Sequence, residues 1–141
     1  MATPQPQQPP PSIPLIAIGI TRPHALATSI ALTGSPYHLA AVLDLSNTPP
    51  PYQFSAQNLG AVLWALHPRP LGLVTGTAVS SKDLEGIKPV WEEYVRDALE
   101  VEGGKGCWVA LSDWHATTGP PPQGWEKEIL RQLDEVFLPL A

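Results

Sequence analysis

The chain has 141 residues, of which 18 are proline and only 15% are charged. Soluble domains average about 25% charged residues, but a hydrophobic share of 43%, before glycine is counted, is ordinary for a packed domain and excludes wholesale disorder. The formal net charge of -5 argues against a nucleic-acid partner, because phosphate binding needs a basic surface. No apolar run reaches about 18 residues, so the sequence predicts neither a membrane-spanning helix nor a membrane partner.

The N-terminal segment is rich in proline and glutamine and has almost no apolar surface to bury. We predict a disordered tail over residues 1–13, which has no features of a signal or transit peptide, and a single α/β domain over residues 14–141. The single cysteine, Cys107, has no partner for a disulfide, which favours a reducing, cytoplasmic location.

The first half of the domain predicts three strands and two helices. Residues 14–20 form a continuous apolar run, typical of a strand buried on both faces. A helix follows, with Pro23 at its first position and Gly34 after its end. Residues 37–45 predict a second buried strand, Ser55 predicts the N-cap of a second helix, and residues 71–75 predict the third strand.

The second half predicts one more strand between helices. Residues 76–81 form a turn-rich loop, followed by a short helical turn around Asp83 and Glu85 and by a new helix that begins at Pro89. Glycines at positions 103, 104 and 106 end that helix. Residues 107–111 predict the fourth strand, residues 112–124 a loop, and Ile129 and Leu133 lie on the apolar face of the last helix.

This alternation predicts an α/β fold: a three-layer α/β/α sandwich around a mainly parallel four-stranded sheet, of flavodoxin-like or Rossmann-like type. Strand order 2-1-3-4 is favoured over a barrel fragment, because barrels of this kind have about 250 residues. Ligands of such folds bind at the carboxyl ends of the strands, where order 2-1-3-4 brings the loops after strands one and three together.

Those two loops contain polar residues that suit a small anionic ligand such as a phosphate or carboxylate. The candidate ligand-binding residues are Thr21, Arg22, Thr75, Gly76, Thr77, Ser80 and Ser81. The alternative is structural, since serine and threonine cap helices and glycine forms turns. Neither of the two glycine-rich nucleotide motifs is present, and Pro23 removes one amide from the first loop, so the sequence predicts no cofactor.

Acid/base residues are the weaker candidates for chemistry. Asp113 and His115 lie in one loop after strand four, and Asp44 lies at the end of strand two, so the three are candidate catalytic residues. Asp113 is also a common residue for beginning a turn. The histidines have no zinc-like spacing, and no thiolates complete a ligand set, so we predict no metal site.

Trp114 and Trp125 bracket the segment Thr-Thr-Gly-Pro-Pro-Pro and are candidate partner-binding residues. Alternatively, they stack on the prolines and stiffen the loop. The outer strands of a four-stranded sheet have unpaired edges, so a homodimer through an edge or through a tryptophan-bearing helix is a further possibility.

Two functional hypotheses follow from these observations. The first is a protein-interaction or regulatory module that binds a protein partner and has no recognisable catalytic motif. The second is a small nucleotide- or phosphate-binding protein or enzyme, with its site at the carboxyl ends of strands one and three. Whether the chain is an enzyme stays open at this point, and a relative of an enzyme family that lost its motifs is indistinguishable from the first hypothesis.

Overall fold

The computed structural model describes residues 12–19, 22–43, 55–77, 79–115 and 122–138. Strands and helices alternate along these residues. They are β1 (Ile13–Ile18), α1 (Arg22–Ala31), β2 (Tyr37–Leu43), α2 (Ala56–Ala65), β3 (Gly72–Thr75), α3 (Ser81–Tyr94), β4 (Cys107–Ala110), α4 (Leu111–Trp114) and α5 (Trp125–Phe137). A π-helical turn at Val95–Leu99 and a 3-10 turn at Glu100–Glu102 continue α3 towards β4.

The four strands form one parallel sheet in the order β2-β1-β3-β4, which confirms the predicted fold class and strand order. In the centre of the sheet, Ile16 of β1 aligns with Leu73 of β3 and with Ala41 of β2. The connections after β1 and β3 leave in opposite directions, as in doubly wound α/β domains of the flavodoxin and Rossmann kind.

Each face of the sheet has its own hydrophobic core. Alternate residues of β1 point to opposite faces, so Leu15 and Ala17 join the core under α1 and α5, and Ile16 and Ile18 join the core under α2 and α3. All four residues are fully buried. Burial on both faces explains why the strands are continuous apolar runs with almost no charge.

The predicted helix break at Pro89 is wrong, because α3 runs without interruption from Ser81 to Tyr94 and has Pro89 inside it. Ser81, predicted in the preceding loop, is the first residue of this helix. An interior proline costs about 3 kcal/mol. The helix nevertheless continues because Ile87 and Trp91 are buried on one face, on either side of the proline.

The predicted loop over residues 112–124 is also wrong at its start. β4 ends at Ala110, and Leu111–Trp114 form the helical turn α4, in which the His115 N–H donates to the Leu111 C=O at 2.8 Å. Leu111 is 1% exposed. The apolar side chain of Leu111 correctly indicated that this residue is buried. The backbone hydrogen bond shows that Leu111 begins a helical turn and does not extend β4.

Other boundaries differ by one or two residues where the structure describes them. α1 begins at Arg22 instead of Pro23, β1 ends at Ile18, and Ile13, predicted in the tail, is the first residue of β1. Ser55 caps α2 as predicted, since its hydroxyl accepts from the Asn58 N–H at 3.0 Å. Residues 1–11 of the predicted tail and residues 44–45 of the predicted second strand lie outside the described residues.

None of the helices in the described part of the chain is both long enough and apolar enough to span a membrane.

Candidate functional site

β1 and β3 are parallel neighbours and end side by side at the carboxyl edge of the sheet, where the sequence predicts an anion site. The Gly19 N–H donates to the Leu43 C=O at 3.1 Å, and the Gly76 N–H donates to the Ile18 C=O at 3.0 Å. Both amides extend the strand pairing by one residue. They are therefore used within the sheet and are not directed at a ligand.

The hydroxyl groups of the second loop also have partners within the fold. Thr75 is fully buried, and its hydroxyl accepts from the indole N–H of Trp108 at 3.1 Å. Ser80 is the N-cap of α3, where its hydroxyl accepts from the Asp83 N–H at 3.2 Å. Thr77 is buried and Ser81 is exposed on the first turn of α3. The hydroxyls of Thr75 and Ser80 thus have structural roles.

The basic residue proposed for the anion site is Arg22, which is the first residue of α1. Thr21 and Asp44, predicted for binding and for catalysis, lie outside the described residues. The meeting of Arg22 with the loop after β3 therefore stays a prediction.

The candidate acid/base pair lies on and just after α4. Asp113 and His115 are both exposed, and among the described residues no hydrogen bond joins them. The His115 ring lies 6.2 Å from the Trp114 ring, centroid to centroid. Within the described ranges, no group of three histidine, cysteine or acidic residues is arranged to bind a metal ion. The described geometry therefore does not orient the His115 imidazole against the Asp113 carboxylate.

The two tryptophans predicted to bind a partner have different environments. Trp125 begins α5 and is 6% exposed, in the core shared with β1 and β4. Trp114 is 39% exposed at the end of α4. Of the two rings, Trp114 is therefore the one that a partner can contact.

The outer side of β4 is unpaired in the described part of the chain, since β3 is its neighbour in the sheet order and no described strand follows it. The Cys107 N–H donates to the Leu71 C=O at 3.0 Å, so the backbone N–H and C=O groups of Cys107 point towards β3. Backbone groups alternate in direction along a strand, so those of Trp108 and Ala110 face outward. The Ala110 C=O is the exception, because Ala110 is the N-cap of α4. We call the outward N–H and C=O of Trp108 and the outward N–H of Ala110 the open β4 edge.

A cleft lies on each side of the open β4 edge, and both clefts are lined by Trp108, Ala110 and Asp113. The α3-side cleft has a volume of about 310 Å³ and is completed by Leu84, Glu85 and Lys88. The α5-side cleft has a volume of about 360 Å³ and is completed by Trp114, Arg131, Gln132 and Glu135. Together, they form a groove whose floor is the unpaired strand.

The charged side chains along this groove include both signs. In the α5-side cleft, Arg131 binds Glu128 at 2.7 Å and also binds Glu135. The hydrogen bond from Arg131 lowers the pKa of the Glu128 carboxyl, which is 8% exposed. Glu128 therefore holds the guanidinium in place beside the cleft.

A buried polar atom lies just beyond the open β4 edge. The Ser112 hydroxyl has no hydrogen-bond partner among the described residues. An unpaired buried hydroxyl costs about 1–3 kcal/mol. Cys107, at the other end of β4, is buried too, and burial raises the pKa of its thiol to about 11, which makes it a poor nucleophile.

Two of the groove residues, Asp113 and Trp114, are site candidates predicted from the sequence, and Trp108 lies in the predicted fourth strand. The sequence did not predict Glu85, Lys88, Arg131 or Glu135 as site residues, because they belong to helices far apart in the chain. Order 2-1-3-4 already places β4 at an edge of the sheet. It does not show which side chains of α3 and α5 border that edge.

The architecture defines the chain as a doubly wound, four-stranded α/β domain with an unpaired outer side of β4 in its described part. No protein-family model, no curated protein and no solved structure matches the chain.

Proposed function

We propose that this chain is a protein-interaction module that binds an extended polypeptide segment along the open β4 edge. The observation that supports the proposal is the coincidence of an unpaired strand with a cleft on each side of it. This is the arrangement that strand addition uses, in which main-chain hydrogen bonds give affinity and alternate side chains enter pockets.

The groove matches the geometry of an added strand. A bound segment forms hydrogen bonds with the N–H and C=O groups of Trp108 and with the N–H of Ala110. The Ala110 C=O is not available, because Ala110 is the N-cap of α4. Successive side chains of a strand point to opposite faces, so neighbouring residues of the segment enter the α3-side and the α5-side cleft in turn.

The cleft walls offer both apolar and charged contacts. Leu84 and Trp108 are apolar surfaces for the segment in the α3-side cleft, and Trp114 is one in the α5-side cleft. Aromatic residues are enriched in protein interfaces. Each helix wall also has one acidic and one basic side chain, and Asp113 adds a second acidic group to both clefts, which favours segments with charges of both signs over a strongly acidic one.

The hypothesis of an anionic ligand between β1 and β3 has less support from the described geometry. The amide of Gly76 and the hydroxyl of Thr75 are engaged within the sheet. An anion site needs donors that are free to point at the ligand.

Panning a library of linear peptides against the full chain tests the proposal, with Ala110→Pro as the blocking variant. Ala110 has φ of -93°, close to the value of about -65° that proline requires. Its N–H faces outward, so proline removes no hydrogen bond with β3 and leaves the fold intact, as circular dichroism can confirm. Ala110→Ser, which keeps the N–H, is the matched control.

We expect enriched peptides that bind the wild type and Ala110→Ser equally and bind Ala110→Pro at least about tenfold more weakly. In NMR spectra, they shift the amide signals of Trp108 and Ala110 more than that of Thr77. The proposal is overturned if no peptide is enriched, or if the enriched peptides bind Ala110→Pro as tightly as the wild type.

A further inference from the structure

The occupant of the groove can be named if the proposed function is accepted, and the inference in this subsection rests on it. We propose that the segment bound along the open β4 edge is β4 of a second copy of this chain. The two strands run antiparallel about a twofold axis and join the two sheets into one of eight strands.

The alternation of backbone groups selects one register for this pairing. Residues that exchange hydrogen bonds across an antiparallel pair must both face outward. With Val109 on the twofold axis, Trp108 lies opposite the partner's Ala110, and Ala110 lies opposite the partner's Trp108. In this register the Ala110 N–H donates to the partner's Trp108 C=O, and the twofold axis repeats this bond, while the Ala110 C=O stays within α4. The register also places each large indole opposite a methyl group instead of a second indole.

The helix walls are self-complementary as well. A twofold axis normal to the sheet places α3 antiparallel to the partner's α3, on the same face of the joined sheet. Glu85 and Lys88 lie about one turn apart on the cleft wall, so Glu85 faces the partner's Lys88 and Lys88 faces the partner's Glu85.

The α5 wall repeats this arrangement with Arg131 and Glu135, which are four residues apart. A second copy is therefore the occupant whose charges match both walls at once. An acidic segment would match only the basic side chain of each wall, and a basic segment only the acidic one.

Sedimentation velocity and light scattering on the full chain, over a range of concentrations, test this inference. We expect a species of twice the 15.2 kDa chain mass that dissociates on dilution. Ala110→Pro removes the central donors and is expected to weaken dimerisation at least about tenfold, whereas Ala110→Ser does not.

Charge reversals give a more specific test. Lys88→Glu places two acidic side chains on each α3 wall, and Glu85→Lys places two basic ones, so each variant alone is expected to weaken the dimer about tenfold. An equimolar mixture of the two variants restores dimerisation, because each wall then faces its opposite. Lys82→Glu, the same charge change on α3 outside both clefts, is the matched control and leaves the dimer unchanged.

A chain that stays monomeric at every concentration overturns the inference, as does a dimer that is indifferent to Ala110→Pro or is not restored by mixing the charge variants. Peptides that still bind the open β4 edge of such a chain uphold the proposed function. Loss of both peptide binding and dimerisation overturns both. The two proposals therefore fail separately.

Discussion

Replacing Tyr94 by phenylalanine isolates one buried hydrogen bond of the core. Tyr94 is fully buried, and its hydroxyl donates to the Pro70 C=O at 2.6 Å. Its ring lies 5.9 Å from that of Trp64 and 5.6 Å from that of Trp91, centroid to centroid. Phenylalanine keeps these ring contacts, so the substitution removes the hydroxyl and little else.

The expected loss of stability follows from the burial of Pro70, whose carbonyl is left without its donor. A buried acceptor without a partner costs about 1–3 kcal/mol. With a urea m-value of about 2 kcal/mol/M, a loss of about 2 kcal/mol lowers the denaturation midpoint by about 1 M. Urea denaturation of Tyr94→Phe and wild type at neutral pH, followed by circular dichroism, measures it.

The pH dependence of this difference is a second test of the same bond. Burial raises the pKa of Tyr94 to about 12, whereas an unfolded tyrosine titrates near about 10. Between these values the unfolded chain loses a proton that the folded chain keeps, so the stability of the wild type falls as the pH rises. Phenylalanine does not titrate. The difference in free energy of unfolding between wild type and Tyr94→Phe is therefore constant below about pH 9 and becomes smaller above about pH 10.

Tyr37→Phe is the matched control. The Tyr37 hydroxyl donates to Asp134 at 2.7 Å, but Asp134 is only half-buried, so water replaces the lost donor and the loss of stability is smaller. Equal denaturation midpoints for wild type and Tyr94→Phe at neutral pH would refute the reasoning. A difference in free energy of unfolding that increases above about pH 10 would refute it as well.

Three further predictions concern β4 and α3. Gly106→Ala places a Cβ 2.8 Å from Cγ2 of Val95, so we expect urea denaturation to show a loss of about 1–3 kcal/mol in the free energy of unfolding. An unchanged denaturation midpoint would contradict that close approach. Burial raises the pKa of the Cys107 thiol to about 11, so its reaction with iodoacetamide should be at least about 100-fold slower in the folded chain than in urea at the same pH. Equal rates would show that the thiol is accessible in the folded chain. Ser80→Ala removes the cap of α3 and should cost about 1 kcal/mol, whereas Ser81→Ala on the first turn should cost almost nothing; similar losses would contradict the capping geometry.

The sheet was predictable because its strands have a simple pattern. A strand covered by helices on both faces must be apolar at every position, and the runs at residues 14–20, 37–45 and 71–75 meet that condition. Each run is followed by helical spacing, which forces parallel connections of one hand. The fold class follows from these local signals, whereas the strand order was favoured on chain length and is established by the structure.

Local rules failed where burial outweighed them. Proline is a common first residue of a helix, so Pro89 predicted a new start, but Ile87 and Trp91 on either side of it are buried and keep α3 continuous. The hydroxyls of Thr75 and Ser80 suggested ligand contacts. The structure gives Thr75 a partner at Trp108 on the neighbouring strand, which no local pattern indicates. Ser80 instead caps α3 through the Asp83 N–H, which is the structural alternative that its sequence context allows.

Composition and periodicity by themselves determined a mainly parallel α/β sheet, because this feature depends on which residues avoid water and at what spacing, and chain length favoured the order β2-β1-β3-β4 that the structure has. Only the tertiary structure decided what borders the open β4 edge. Lys88 and Arg131 are distant in the chain and enter the walls of one groove only after α3 and α5 pack on opposite faces of the sheet. A site formed between elements depends on the distances that packing sets between them, and those distances have no local pattern in the sequence.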